Sequence, residues 1–240
     1  MRESTIPALI VAIGIALGGW LGGRGIAAVK AADRYVSVKG VAEREVQADL
    51  ALWALRVVAA GNDLAAAQAS VTHSIARIRA FLVRNGIDTT QAELQEIQVT
   101  DAYANAYRPA GETPTRYIVR QTLMVRSPQP AKVLAASQRV GELVAAGVVL
   151  SSQEYGPSGP TFLFTRLNDV KPAMIAAATA NARAAAEQSA KDSRTSLAGI
   201  RQANQGVFVI LPRDQASGIT EESQPNKVVR VVTTVEYFLK

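Results

Sequence analysis

An α+β fold is predicted, with repeated hairpin-helix units forming a mainly antiparallel sheet, helices packed against it, and one transmembrane helix ahead of it. Three observations predict it. The apolar period switches several times between 2 and 3.6. The switches fall at Gly, Pro and Asn/Asp punctuation. Residues 6–23, IPALIVAIGIALGGWLGG, form an uncharged run of eighteen that spans about 27 Å as a helix, close to the thickness of a bilayer core.

That run makes residues 1–31 an expected membrane anchor or uncleaved signal segment, although Val29 and Ala31 stand at small-residue positions resembling a cleavage site. Gly14, Gly18 and Gly22 recur every four residues, as do Gly19 and Gly23. In lipid that spacing lets helix backbones approach, so these glycines are candidates for association of the anchor. Arg24, Lys30 and Arg34 follow the run, and charge alone would keep the following domain in the cytoplasm, but a long domain can be translocated against that bias.

Residues 32–240 are expected to form one α+β domain, with a lobe boundary near residue 128. Tyr35–Glu43 and Leu50–Ala59 read as a strand pair, the second apolar on both faces over its first half and therefore buried. Asn62 or Asp63 caps a helix running to Asn85, with Leu64, Ala67, Val71, Ile75, Ile78 and Leu82 on one stripe, Gly86 as its stop and His73 opposite. Strands follow at Glu93–Asp101 and Arg116–Arg126. A second helix starts at Pro130 and carries Val133, Ser137, Val140 and Val144 before Gly147. Two short strands flank YGPSGP. A third helix, Pro172 to about Ser193, has a stripe of Met174, Ala178, Ala182, Ala185 and Ser189, small enough for close packing. QGVFVIL and KVVRVVTTVEYFL close the chain as strands, the last alternating from Val229 to Leu239.

The composition excludes much chemistry. There is no cysteine, hence no disulfide or thiolate, and a single histidine, His73, which falls on a helix's solvent side. GPSGP places Pro160 where a nucleophile elbow needs its last glycine. No metal or cofactor is expected, because no ligand spacing or phosphate-cradling loop occurs. The net charge of +6 comes from basic residues standing singly, without aromatic interleaving, so nucleic acid is not an expected partner.

Three carboxylates in GVAEREVQADLALW remain. Glu43 and Glu45 share one strand face and read as a solvated rim, a partner-binding patch or an acid/base couple. Asp49 falls where the chain must reverse and reads as a turn residue.

VSVKGVAEREVQADLALWALRV, the helix ending NGID, VTDAYANAY and the closing KVVRVVTTVEYFL, taken in order, resemble the SIMPL domain family of bacterial envelope proteins over residues 35–240. Asp49 fits that family's turn, while Ala48 stands where proline is common. LNDVKPAMIAAATANARAAA and IRQANQGVFVI resemble its membrane-anchored branch. The resemblance implies an exported protein without accepted catalytic residues, held in the inner membrane through residues 6–23 by a single pass, with the C-terminal domain in the periplasm. It also implies assembly into homo-oligomers and a role in envelope stress tolerance or as a channel-like scaffold. The alternative is a small-ligand or envelope-polymer binding module using the loops around Tyr103, Tyr107, Tyr155 and Phe162.

Overall fold

The computed structural model describes residues 13–21, 23, 34–104, 115–151 and 159–240. Among them no helix is long and apolar enough to cross a membrane. Residues 6–12 and Gly22 of the expected span lie outside the described residues; residues 13–21 and 23 are helical and exposed.

The chain divides into two units. One consists of Met1–Glu43, Lys171–Phe208 and Arg230–Lys240, the other of Arg44–Val170 and Val209–Val229. The fold is α+β with antiparallel sheets, as expected.

The second unit is built on a sheet of β2 (Leu50–Gly61), β3 (Ala92–Asp101), β4 (Tyr117–Ser127) and β5 (Thr161–Leu163), ordered β3-β4-β2-β5. The pairs β2/β4, β3/β4 and β2/β5 are antiparallel. Helix α1 (Leu64–Arg84) packs on β2 and β4. Its predicted stripe holds from Ala67 to Leu82, with Phe81 added and Leu64 left exposed. Asp63 is the cap, accepting from Ala66 N–H at 2.8 Å, and Gly86 ends the helix at φ +69°, where a glycine carries no steric penalty.

The predicted second helix is in fact two, α2 (Pro130–Ser137) and α3 (Gly141–Ala145). The break moves burial to Ala136 and Leu143 and leaves Val144 exposed. Of the two short strands expected beside YGPSGP, β5 forms, and Leu150 makes only an isolated bridge to Val57.

Most of β1 (Tyr35–Gln47) and β8 (Asn226–Leu239), with β6 (Leu197–Gln205), lies in the first unit, in the order β1-β8-β6; β7 (Val209–Pro212) pairs with β8 in the second unit. Strands β1 and β2 therefore belong to different sheets, which corrects the expected hairpin. The strand predicted at 205–211 is likewise replaced by β6 and β7, separated by residues 206–208.

Helix α4 (Leu167–Asp192) starts five residues earlier than predicted and contains Pro172. Within the first unit it buries Met174, Ala178, Ala182, Ala186 and Ala190, while Ala185 is exposed, so the predicted stripe slips by one residue after Ala182. Spacing of four drifts round a helix of 3.6 residues per turn, and the line it traces follows a twisted sheet. Ala182 and Ala186 meet Val235 and Tyr237 of β8 in this unit's core.

Candidate functional site

The carboxylates of the opening stretch do different jobs. Glu43 is exposed and pairs with Arg230 at 3.4 Å, an arrangement that contributes little in water. Glu45 is exposed beside Arg213, at a cavity of about 340 Å³. Asp49 accepts from the Thr165 N–H at 2.7 Å and the Thr165 hydroxyl at 2.8 Å. Around it the Ala48 N–H reaches the Pro225 carbonyl at 2.7 Å and the Asp49 N–H the Leu163 carbonyl at 3.0 Å. The turn is thus tied to segments far along the chain rather than closed on itself.

Partial burial pushes the Asp49 carboxyl up, but the two Thr165 bonds, its own N–H and Arg166 outweigh it, and the group titrates below the usual aspartate range. Its contribution is therefore fully present above the ordinary aspartate value and is lost as pH falls through the lowered one. Asp49→Asn is expected to cost about 1 kcal/mol at neutral pH, below the roughly 1.5–3 kcal/mol of a hydrogen bond to a charged group because this one is open to solvent. Urea titrations of both proteins should converge in acid; a difference unchanged down to the lowest usable pH would contradict the assignment.

Tyr103 lies in a 3-10 turn after β3 and is half exposed. Its ring and that of Tyr117 flank the Arg116 guanidinium at 5.4 and 4.8 Å, and Arg116 donates to Asp101 at 3.1 to 3.3 Å. Those bonds, with one from the Tyr103 N–H, hold the Asp101 carboxyl below its usual range. The cluster pins the neck of the β3–β4 connection. Tyr107 and Tyr155 lie outside the described residues. Among the described residues, nothing lies within 4 Å of where a Cβ would stand at Gly14 or Gly18.

Two features were not read from the sequence. One is a cleft of about 820 Å³ with Leu134, Pro160 and the buried Phe162 as apolar wall and Ser137, Thr220 and Glu222 as polar wall. The 3-10 turn Glu221–Ser223 beside it is anchored by Lys227, whose fully buried ammonium donates to the Glu221 carbonyl at 2.6 Å and to the Glu221 carboxylate.

The other is β3 itself. Among the described residues it pairs on one side only, with β4, and it is exposed from Glu93 to Thr100. Leu94, Ile97 and Val99 stand opposite Leu123, Gln121 and Val119 of β4, on the face that α1 covers further in, yet they remain 50%, 43% and 49% exposed. Weak alternation in AELQEIQVTD is the only sequence signal of this strip. At its start Arg79 of α1 donates to the Ala92 carbonyl at 3.2 Å, and Glu93 and Glu96 flank it.

Among the described residues no group of three or more His, Asp or Glu side chains is placed to hold a metal ion. A family model described as SIMPL, protein of unknown function (DUF541), matches residues 36–237. No curated protein matches the chain.

Proposed function

The chain belongs to the SIMPL family, and from that premise we propose a non-enzymatic, membrane-anchored periplasmic protein whose copies assemble into a scaffold or channel-like oligomer, with envelope stress tolerance as its setting. The strip of Leu94, Ile97 and Val99 carries this reading. Three aliphatic side chains half in water on one sheet face, beside a helix that stops short of them, are apolar surface that packing within the chain leaves uncovered.

Open backbone on β3 is the less favoured contact. The register shift between Leu94 and Ile97 and the charges of Glu93 and Glu96 blunt strand-to-strand pairing, so association uses the apolar face. The same patch offers acids on the strand and Arg79 on the helix, which a second copy can match acid to base. Anchoring is supported by the uncharged run at 6–23, whose described part is helical and exposes Ile13, Ile15, Leu17, Trp20 and Leu21. A non-enzymatic role is supported by how the carboxylates are used: Asp49, Asp101 and Glu221 are each committed to a structural partner.

The double substitution Ile97→Lys with Val99→Lys should weaken association at least about tenfold, since two ammonium groups would be taken from water into an apolar contact. Sedimentation velocity of the full chain in detergent checks it. Unchanged association with the fold intact would remove the strip from the account.

The cleft beside Glu221–Ser223 favours a second reading, binding of a small amphipathic ligand. Retention of soluble envelope fragments in equilibrium dialysis supports it, and no retention of any fragment ends it.

A further inference from the structure

The net charge of +6 is not shared between the two units. The unit made of Arg44–Val170 and Val209–Val229 has fourteen basic and fourteen acidic residues and is neutral; the other has twelve basic against six acidic and carries the whole excess. Among the described residues of that basic unit, Glu43 is matched by Arg230, Glu187 by Arg183 and Glu236 by Arg201.

Half of that excess gathers at one end of its sheet. The Leu239 N–H donates to the Arg34 carbonyl at 2.8 Å, and Lys240 and Ser196 exchange main-chain bonds at 2.9 and 3.2 Å. The start of β1, the end of β8 and the start of β6 therefore lie side by side. Helix α4 ends at the same place, because the Arg194 N–H returns to the Lys191 carbonyl at 3.0 Å and the Thr195 N–H to the Ala190 carbonyl at 2.9 Å. Arg34, Lys191, Arg194 and Lys240 are thus neighbours, all exposed, with Asp192 as the one acid between Lys191 and Arg194. Arg194 is held at φ +54°, a conformation glycine adopts without strain, so a charged side chain is kept there against a backbone penalty. In sequence, residue 34 follows the apolar run after Arg24, Lys30 and Asp33.

We propose that this basic end, Arg34, Lys191, Arg194 and Lys240, docks on the anionic phosphate headgroups of the bilayer that residues 6–23 enter. The inference rests on the anchoring reading, and its partner is a lipid surface rather than nucleic acid because Arg34 follows the apolar run by eleven positions in sequence, and the exposed Tyr35 beside it is already covered by the Arg201 guanidinium at 4.1 Å. Docking there would hold the folded unit against the membrane by charge as well as by its tether.

The test uses the full chain reconstituted with vesicles of phosphatidylcholine alone or mixed with phosphatidylglycerol. Flotation with the neutral vesicles reads anchoring by itself. Amine-reactive labelling followed by mass spectrometry then reads the basic end, with Lys132 of the neutral unit as internal control. Lys191 and Lys240 are expected to label at least about fivefold more slowly on the anionic vesicles, with high salt restoring the rate. The triple variant Lys191→Gln, Arg194→Gly, Lys240→Gln should still float with neutral vesicles and should lose salt-sensitive retention on anionic ones if residues 6–23 are removed as well. Equal labelling on both vesicle types by a chain that floats with both overturns the proposal and leaves anchoring intact. Failure to float with neutral vesicles overturns anchoring and this proposal's premise together. Slowing by a short DNA duplex but not by anionic vesicles overturns it in favour of nucleic acid.

Discussion

Gly40→Ala is expected to unfold the first unit or to cost about 3 kcal/mol or more, at or beyond the upper end for overpacking. Gly40 is buried on β1 beneath α4, and a Cβ there would overlap the Ala178 carbonyl oxygen and stand 2.5 Å from the Ala182 nitrogen. Both atoms are main chain, so no rotamer change relieves the contact. The approach is possible because α4 presents alanines, and it is fixed by the Asn181 side-chain amide donating to the Val41 carbonyl at 2.8 Å. Helix and strand would have to separate, which uncovers Ala178 and Ala182. Gly199→Ala serves as control, since nothing lies within 4 Å of a Cβ there and its effect should stay within about 0.5 kcal/mol. Urea denaturation of the two variants checks the pair; equal small effects would mean that β1 and α4 are not packed this closely.

Glu221→Ala is expected to be nearly as damaging, at about 3 kcal/mol, near the low end for breaking a buried ion pair. Lys227 has no exposed side-chain surface, and among the described residues its acceptors are the Glu221 carboxylate and carbonyl. Removing the carboxylate leaves an ammonium buried with one carbonyl. Glu221 itself is 28% exposed, so Lys227→Met leaves a carboxylate that water still reaches and should cost less. The double variant should recover much of the loss, because neither charge is then left unmatched. Stability measurements on the two single variants and the double complete the cycle. Additive losses would show that the pair does not hold the Glu221–Ser223 turn.

Where apolar contrast along the chain is strong, the fold was legible in the sequence. Helix α1 alternates large apolar with polar residues, and its cap, stripe and stop all follow from that pattern and from Asp63 and Gly86. Strand β8 was readable for the same reason, with Val229, Val231, Thr233, Val235 and Tyr237 buried in turn. Helix α4 was harder, because an alanine-rich helix offers no difference in size between faces; the choice of Ala186 over Ala185 depends on the sheet it meets. Strand β6, LAGIRQANQ, is exposed over most of its length, so no buried face imposed a period of two on it.

Long-range partners were the part of the site that could not be read. Asp49 was recognisable as a turn residue, but Thr165, which satisfies it, lies 116 positions on. Lys227 opens a strand in a setting where lysine is ordinarily solvated, and its burial depends on a turn formed by Glu221. The strip on β3 became visible only when the reach of α1 across β2 and β4 was known.

The claim that copies of this chain assemble is tested most directly by the mass of the full chain in detergent, by light scattering coupled to size exclusion at several concentrations and two salt levels. One stable multiple of the 25.4 kDa subunit is expected, reduced in the Ile97→Lys, Val99→Lys variant. A monomer at every concentration would contradict it.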